Sequence, residues 1–219
     1  MTAADSPSLP GLHLAQTSVS EMDNNVYLLI DTTRTLPAGT HPALLIDAAD
    51  DAAAVLALAA DNNATITDVL TTHQHWDHVR ATEEVLAATG ARHIVPAPDA
   101  PNIPGRHDVV AHDGDVLDFG DYRLSLRVVG GHTPGGFLVE APIATDAGTA
   151  TALFVGDNLF PGGVGMTETP EAFAELLDGI TAAVFDVYDD EVLVYPGHGK
   201  HTTVGAERPQ LPEWRERGW

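Results

Sequence analysis

Four times along this chain an apolar, strand-like run stops at a histidine or aspartate set among glycines, prolines or further histidines. Ile66–Thr72 runs into His73-Gln74-His75-Trp76-Asp77-His78. Arg127-Val128-Val129 leads into Gly130-Gly131-His132-Thr133-Pro134-Gly135, Leu153–Gly156 into Asp157, and Val192–Tyr195 into Pro196-Gly197-His198-Gly199. Loops at the ends of strands on a rigid scaffold are where chemistry is placed, and glycines let the backbone turn sharply there. In extended chain His73 and His75 point the same way, while Asp77 and His78 fall in the first turn of a following helix. Four potential ligands in six residues cannot all be satisfied as core polar groups. His132 alone would read equally well as a turn histidine; as a set, the four segments predict one functional rim.

Between these points the pattern alternates. Strands are predicted over Asn25–Asp31, Ala43–Asp47, Ile66–Thr72 and Arg92–Val95. A helix capped by Asp50 or Asp51 runs to about Ala60, and another runs from about Trp76 to Thr89 and stops at Gly90. Four prolines make Pro96–Gly105 a loop. Val109–Glu140 reads as a β-meander, Ala141–Thr151 as a small-residue loop and Thr151–Gly156 as a strand. Pro161–Pro170 reads as a glycine-rich loop, Glu171–Ile180 as a helix with Phe173, Leu176 and Leu177 on one face, and Glu191–Tyr195 as a last strand. The mixture predicts a sheet-rich α/β sandwich, one domain over 1–219 with a loose stretch at 1–10 and a tail at 202–219.

Composition removes several classes of function. The formal charge is −22 with a single lysine, Lys200, which disfavours binding to phosphate backbones and a polybasic membrane anchor. No apolar run approaches the roughly 18 residues that span a bilayer. Met1–Pro10 lacks the basic and apolar features of a signal peptide. Cysteine is absent, so disulfides, thiolate nucleophiles and Cys-ligated zinc are excluded. The expectation is a cytoplasmic protein with no nucleic-acid or membrane partner.

The motif His73-x-His75-x-Asp77-His78, followed in order by His132, Asp157 and His198, resembles the metallo-β-lactamase superfamily over roughly residues 20 to 201. The resemblance implies an αββα sandwich, with two sheets face to face and helices outside. By similarity, His73, His75 and His132 hold one metal, Asp77, His78 and His198 hold a second, and Asp157 bridges them, with Asp77 and Asp157 as the catalytic carboxylates. The cofactors implied are two divalent metal ions, Zn2+ first and Fe2+ second. The chemistry of the residue types agrees: imidazole suits zinc and iron, and carboxylate can bridge. Three protein ligands leave a position open for water, and two cations about 3.5–4 Å apart can share a hydroxide that attacks an acyl carbon.

Within the superfamily, the lack of cysteine excludes lactamase classes with a Cys ligand, and His75 stands where flavo-diiron oxygen reductases have Glu. The RNA-processing branch carries an extra domain and basic surfaces that this chain lacks. Thr71-Thr72-His73, Gly131-His132-Thr133-Pro134-Gly135, Gly156-Asp157-x-Leu159-Phe160 and Pro196-Gly197-His198-Gly199 are most similar to the glyoxalase II branch. That implies hydrolysis of a thioester, with a small acyl or thiol-conjugate molecule as partner. Glyoxalase II enzymes carry a C-terminal helical domain that helps hold glutathione, whereas 21 residues follow His198 here. Gly165-Met166-Thr167 stands where relatives often carry Arg, so a substrate broader than the glutathione conjugate is expected. The persulfide dioxygenases share the motif but use one iron on His73, His132 and Asp157, the 2-His-1-carboxylate arrangement. Lactone hydrolysis and a non-catalytic, metal-stabilised binding protein are the remaining alternatives.

Other residues carry blander expectations. Asp47 either supports a ligand histidine or caps the following helix. Trp76 is expected in the core rather than at the site, as are Tyr188, Tyr195 and Phe160. His93, His107, His112 and His201 are expected to be solvated or ordinarily hydrogen-bonded. The tail, with Leu211, Trp214 and Trp219 among charges, docks either on the body or on a second copy in a homodimer.

Overall fold

A computed structural model describes residues 9–218. Most of the stretch read as loose, and Trp219 of the tail, therefore lie outside the described residues. The first sheet has six strands in sequential order: β1 (His13–Val19), β2 (Asn24–Ile30), β3 (His41–Ile46), β4 (Ala64–Leu70), β5 (Arg92–Pro96) and β6 (Val109–Ala111). β1 to β3 are antiparallel and β3 to β6 parallel. The second sheet has the order β14 (Thr202–Thr203), β13 (Leu193–Pro196), β10 (Gly148–Gly156), β9 (Gly136–Thr145), β8 (Tyr122–Val129), β7 (Val116–Phe119). Only β10 and β13 run parallel in it. A two-stranded ribbon, β11 (Leu159–Phe160) with β12 (Gly163–Val164), completes the strands.

Three apolar layers explain why the sheets stack. Leu29, Leu44, Ile46 and Leu70 of the first sheet meet Leu124, Phe137, Val139 and Phe154 of the second in the central layer. The opposite face of the first sheet (Val26, Leu28, Leu45, Val69) packs on the helices α1 (Ala52–Asp61) and α3 (Thr82–Thr89) through Val55 and Val85. The outer face of the second sheet packs on α4 (Pro170–Ile180) through Phe173, Leu176 and Leu177. β2 is buried on both faces, which is why Val26–Ile30 is a continuous apolar run. Capping follows the sequence: Asp51 accepts from Ala54 N at 3.1 Å to start α1, and Thr169 accepts from Ala172 N at 3.1 Å ahead of Pro170 at the start of α4. This is the expected αββα sandwich.

Several local expectations are corrected. The helix expected over Trp76–Thr89 is two: α2 (Trp76–Val79) and α3. Between them the Arg80 and Ala81 amides donate to the Ala49 and Ala48 carbonyls instead of to their own helix. Ala141–Thr151 is not a loop: β9 and β10 form a long hairpin through it, turning at Asp146-Ala147. Its residues alternate, with Ala141, Ile143 and Ala150 facing the central layer. β1 precedes the first predicted strand; it is an edge strand of exposed and half-buried residues that is buried only at Val19. The glycine-rich loop contains β12, which pairs with β11 just before the loop.

The tail is ordered onto the body. It forms β14, α5 (Val204–Glu207) and α6 (Leu211–Arg217). Trp214 is fully buried against the α4 layer. Buried Glu207 accepts from Gly162 N at 2.8 Å and Thr202 Oγ1 at 2.6 Å, tying the tail to the β11–β12 ribbon. No helix among the described residues is long and apolar enough to cross a membrane.

Candidate metal centre

The strand ends converge as the sequence predicts. His73 and His75 lie on the loop after β4, and Asp77 and His78 in α2. His132 follows β8, Asp157 follows β10 and His198 follows β13. Their donor atoms gather into three overlapping sets, each within 4.8 Å: His73, His75 and His132; His73, His78 and Asp157; Asp77, His78 and His198.

The outer nitrogens are occupied, which aims the inner ones. Thr72 Oγ1 donates to Asp47 Oδ2 at 2.7 Å, so it accepts from His73 Nδ1 at 3.0 Å. His78 Nδ1 donates to the same Asp47 oxygen at 2.9 Å. His132 Nδ1 donates to the Met166 carbonyl and His198 Nδ1 to the Met22 carbonyl, both at 2.7 Å. Each of these rings therefore turns Nε2 toward the centre. Asp47 holds His78 directly and His73 through Thr72, while Asp51 caps α1, which decides between the two expectations for Asp47.

Inside the ring, donor faces donor. His73 Nε2 lies 3.1 Å from His75 Nδ1, and His78 Nε2 lies 3.1 Å from His198 Nε2. Two nitrogens bound about 2.1 Å from one tetrahedral ion sit about 3.4 Å apart, a spacing close to that seen here. Asp157 reaches both sides: Oδ1 is 3.3 Å from His78 Nε2, and Oδ2 is 3.4 Å from His198 Nε2 and 3.7 Å from His132 Nε2. Buried His132 Nε2 and Asp157 Oδ1 have no hydrogen-bond partner. Orphaned inward donors of this kind fit a cation between them.

Electrostatics divide the ring. Burial, with His78 nearby, lowers the pKa of His73 well below the ordinary histidine value. Burial, with His132, lowers that of His75. For His78 burial acts in the same direction, but the carboxylates of Asp157, 3.3 Å away, and Asp47, to which it is hydrogen-bonded, override it and raise the pKa to about 10. His198 is likewise opposed by burial and raised to about 10 by Asp157 and Asp77. Burial works against ionising Asp77, yet hydrogen bonds with His198 and Asn24 hold its carboxyl well below the usual carboxylate range. His198 and His78 do the same for Asp157. The carboxylates thus draw positive charge into this side of the ring, the place a cation would take.

Several supporting residues escaped the sequence reading. Asn24 is buried and donates to Asp77 Oδ2 at 2.9 Å; its signal was the Asn24-Asn25 pair directly before an apolar strand. Asn25 donates to the Pro196 and Gly199 carbonyls, at 3.0 and 2.9 Å, holding the His198 loop. Asp99 is fully buried in the proline-rich segment and accepts from Gln74 N and Gly135 N, both at 2.9 Å, clamping two ligand loops together. No sequence pattern marked it. Two expectations of core packing fail: Trp76 is 59% exposed, with Arg80 stacked over its ring, and Phe160 lines the cavity above the donors. Tyr188 and Tyr195 do pack inward, Tyr188 donating to Glu140 and Tyr195 stacking on Phe154.

The profile of the metallo-beta-lactamase superfamily matches residues 19–198. The chain belongs to the metallo-beta-lactamase superfamily. It is 37% identical over 208 residues to a hydroxyacylglutathione hydrolase of Ectopseudomonas mendocina (strain ymp), covering 90% of this chain and 75% of that protein. A hydroxyacylglutathione hydrolase of Maricaulis maris (strain MCS10) is 33% identical over 158 residues, 71% of this chain and 57% of the relative's length. Among solved structures, ETHE1 from Myxococcus xanthus superposes with a TM-score of 0.70 at 26% identity, covering 93% of this chain and 84% of that one.

Proposed function

We propose that the chain is a metal-dependent hydrolase of thioesters or related activated acyl compounds, lactones included. The observation that carries this reading is the convergence of seven donor side chains, four of whose five imidazoles already have their outer nitrogen hydrogen-bonded. His73, His75 and His132 would hold one divalent ion, Asp77, His78 and His198 a second, with Asp157 between them. The donor set of imidazole and carboxylate suits zinc first and iron second. Two such ions supply an ionised water at neutral pH and polarise the acyl oxygen. The protein's part is orientation: Asp157 sets Oδ2 between His132 and His198 and Oδ1 beside His78, and Asn24 holds Asp77 Oδ2 in place. The likeness to hydroxyacylglutathione hydrolases supports an acyl substrate on sulfur.

A second reading, a persulfide dioxygenase with one iron, draws on His73, His132 and Asp157, whose side chains also lie together. The hydrolytic reading differs in giving Asp77, His78 and His198 a direct role. Metal analysis, a thioester assay and an oxygen electrode on one preparation test both. The expected result is two metal equivalents and thioester hydrolysis, one equivalent lost in His198→Ala, and a rate at least about 10²-fold lower in Asp157→Asn. One iron per chain with oxygen uptake on a persulfide would overturn it.

A further inference from the structure

Large apolar side chains are rarely left in water without a purpose when they cluster. Met166 is 85% exposed, Trp76 59% and Met22 49%, and all three, with half-buried Phe160, wall one cavity of about 440 Å³. His75, His132, Asp157 and His198 form part of its lining. Met22 and Met166 do double duty, since their backbone carbonyls hold His198 and His132 while their side chains form the lip.

The flanks of this mouth are acidic. Glu168 and Glu175 line the cleft beside His75 and His132. Glu21 and Asp50 line the hollow behind Met22 and Trp76, where Arg80 is engaged by Asp50 at 2.9 Å. A molecule of charge −22 with carboxylates on both sides of its mouth repels a substrate that carries its own carboxylates.

We propose that the Met22–Trp76–Phe160–Met166 wall is a shelf for hydrocarbon, and that the substrate class is neutral acyl compounds with an apolar acyl chain rather than conjugates of an anionic thiol. This rests on the acyl-hydrolase reading above. Full burial of a methylene contributes about fourfold in affinity, and an open shelf covers about half of each group, so about twofold per methylene is expected.

The test has two arms. In the first, N-acetylcysteamine thioesters from acetyl to octanoyl are assayed on the metal-loaded protein, alongside the glutathione thioesters. kcat/KM is expected to rise about twofold per methylene through hexanoyl, with the neutral thiol preferred. Met22→Ser and Met166→Ser are expected to flatten that slope, read as the ratio of hexanoyl to acetyl so that any change common to both cancels. In the second, thioether analogues without the carbonyl are titrated while fluorescence is followed. Binding is expected to tighten with chain length and to blue-shift an emission component absent from Trp76→Phe. Hydrolysis with a flat chain-length profile in both arms overturns the shelf and leaves the hydrolase reading standing. Chain-dependent binding with no hydrolysis of any thioester or lactone overturns the hydrolase reading and leaves the shelf. A preference for glutathione thioesters that disappears in Arg217→Ala, at the far end of the trough beyond Met166, would assign the groove to a carboxylate and overturn the proposal.

Discussion

The two sheets deliver their donors to the rim by different means. The first sheet gives His73, His75, Asp77 and His78 from one segment between β4 and the end of α2. That segment is fastened from beneath by buried groups, Asp47 through Thr72 and His78, and Asp99 through Gln74 N. The second sheet gives His132, Asp157 and His198 singly, from the ends of three strands. Nothing local fixes those three relative to one another; they meet because the backbone between them approaches without side chains. A Cβ on Gly197 would lie 2.1 Å from Asp157 Oδ1 and 2.6 Å from His78 Cε1, and one on Gly165 would lie 1.9 Å from the Asp157 carbonyl oxygen. One rim is held chiefly by buried carboxylates, while the other depends, besides hydrogen bonds from Asn25 and to Asp99, on close backbone packing, so the two should fail differently.

The second rim should be the more brittle. Gly197→Ala pushes a methyl into Asp157 and His78 together, while the surrounding bonds, Gly197 N to the Gly156 carbonyl and Asn25 N to the Gly197 carbonyl, keep the loop from backing away. Loss of supporting contacts around a metal site costs 10–100-fold, and here the donors themselves are displaced, so metal affinity is expected to fall at least about 10²-fold. Equilibrium dialysis against zinc measures it, with far-ultraviolet circular dichroism to confirm that the sheets persist. Wild-type affinity in this variant would mean that the second rim is as forgiving as the first.

Asp99 joins the two rims, and its removal sharpens the contrast. Asp99→Ala leaves two amide donors, of Gln74 and Gly135, without their buried acceptor. The expected cost is about 3 kcal/mol of stability, seen as a lower urea midpoint, with Asp99→Asn in between because its carbonyl oxygen still accepts. If the clamp also sets the loops' spacing, metal affinity drops by about tenfold in the same variant. A stability loss with unchanged metal affinity would confine Asp99 to the fold.

This difference between the rims also explains what could be read from the sequence. The four segments that carry the seven candidate donors were legible because each follows the end of an apolar strand, and the pattern needs no knowledge of the third dimension. The central strands were legible for the same reason: Val26–Ile30 and Ala43–Ile46 are buried on both faces and leave continuous apolar runs. β1 was not, because an edge strand of exposed and half-buried residues, polar at Gln16, Thr17 and Ser18, carries little apolar signal. The β9–β10 hairpin was missed because alanine and threonine fill its far half, and small residues look like a loop until a facing strand gives them something to cover. The break between α2 and α3 depends on the Ala48 and Ala49 carbonyls, some thirty residues away in sequence. Trp76 and Phe160 were misplaced because aromatic rings are usually core, and only the assembled cavity shows them facing outward.

The smallest expected effect probes the first sheet beneath its rim. His93 is fully buried on β5; its Nδ1 donates to the Arg106 carbonyl at 2.8 Å, so Nε2, 2.9 Å from Thr71 Oγ1, is left to accept from that hydroxyl. Burial lowers its pKa, outweighing the bond to Arg106. The unfolded chain therefore takes up a proton on this histidine before the folded protein does. Stability from the neutral ring is fully present above the ordinary histidine pKa and is lost as the pH falls below it toward the lowered value. By pH 5 the loss is bounded at about 2 kcal/mol, since that lies about 1.5 pH units below the unfolded pKa. His93→Gln cannot titrate. Between pH 7 and pH 5 its urea midpoint should fall less than that of the wild type, and the difference between the two isolates this one group from acid release of any metal. Parallel curves would show that protonated His93 is tolerated in place, and that the floor under the first rim is softer than its burial implies.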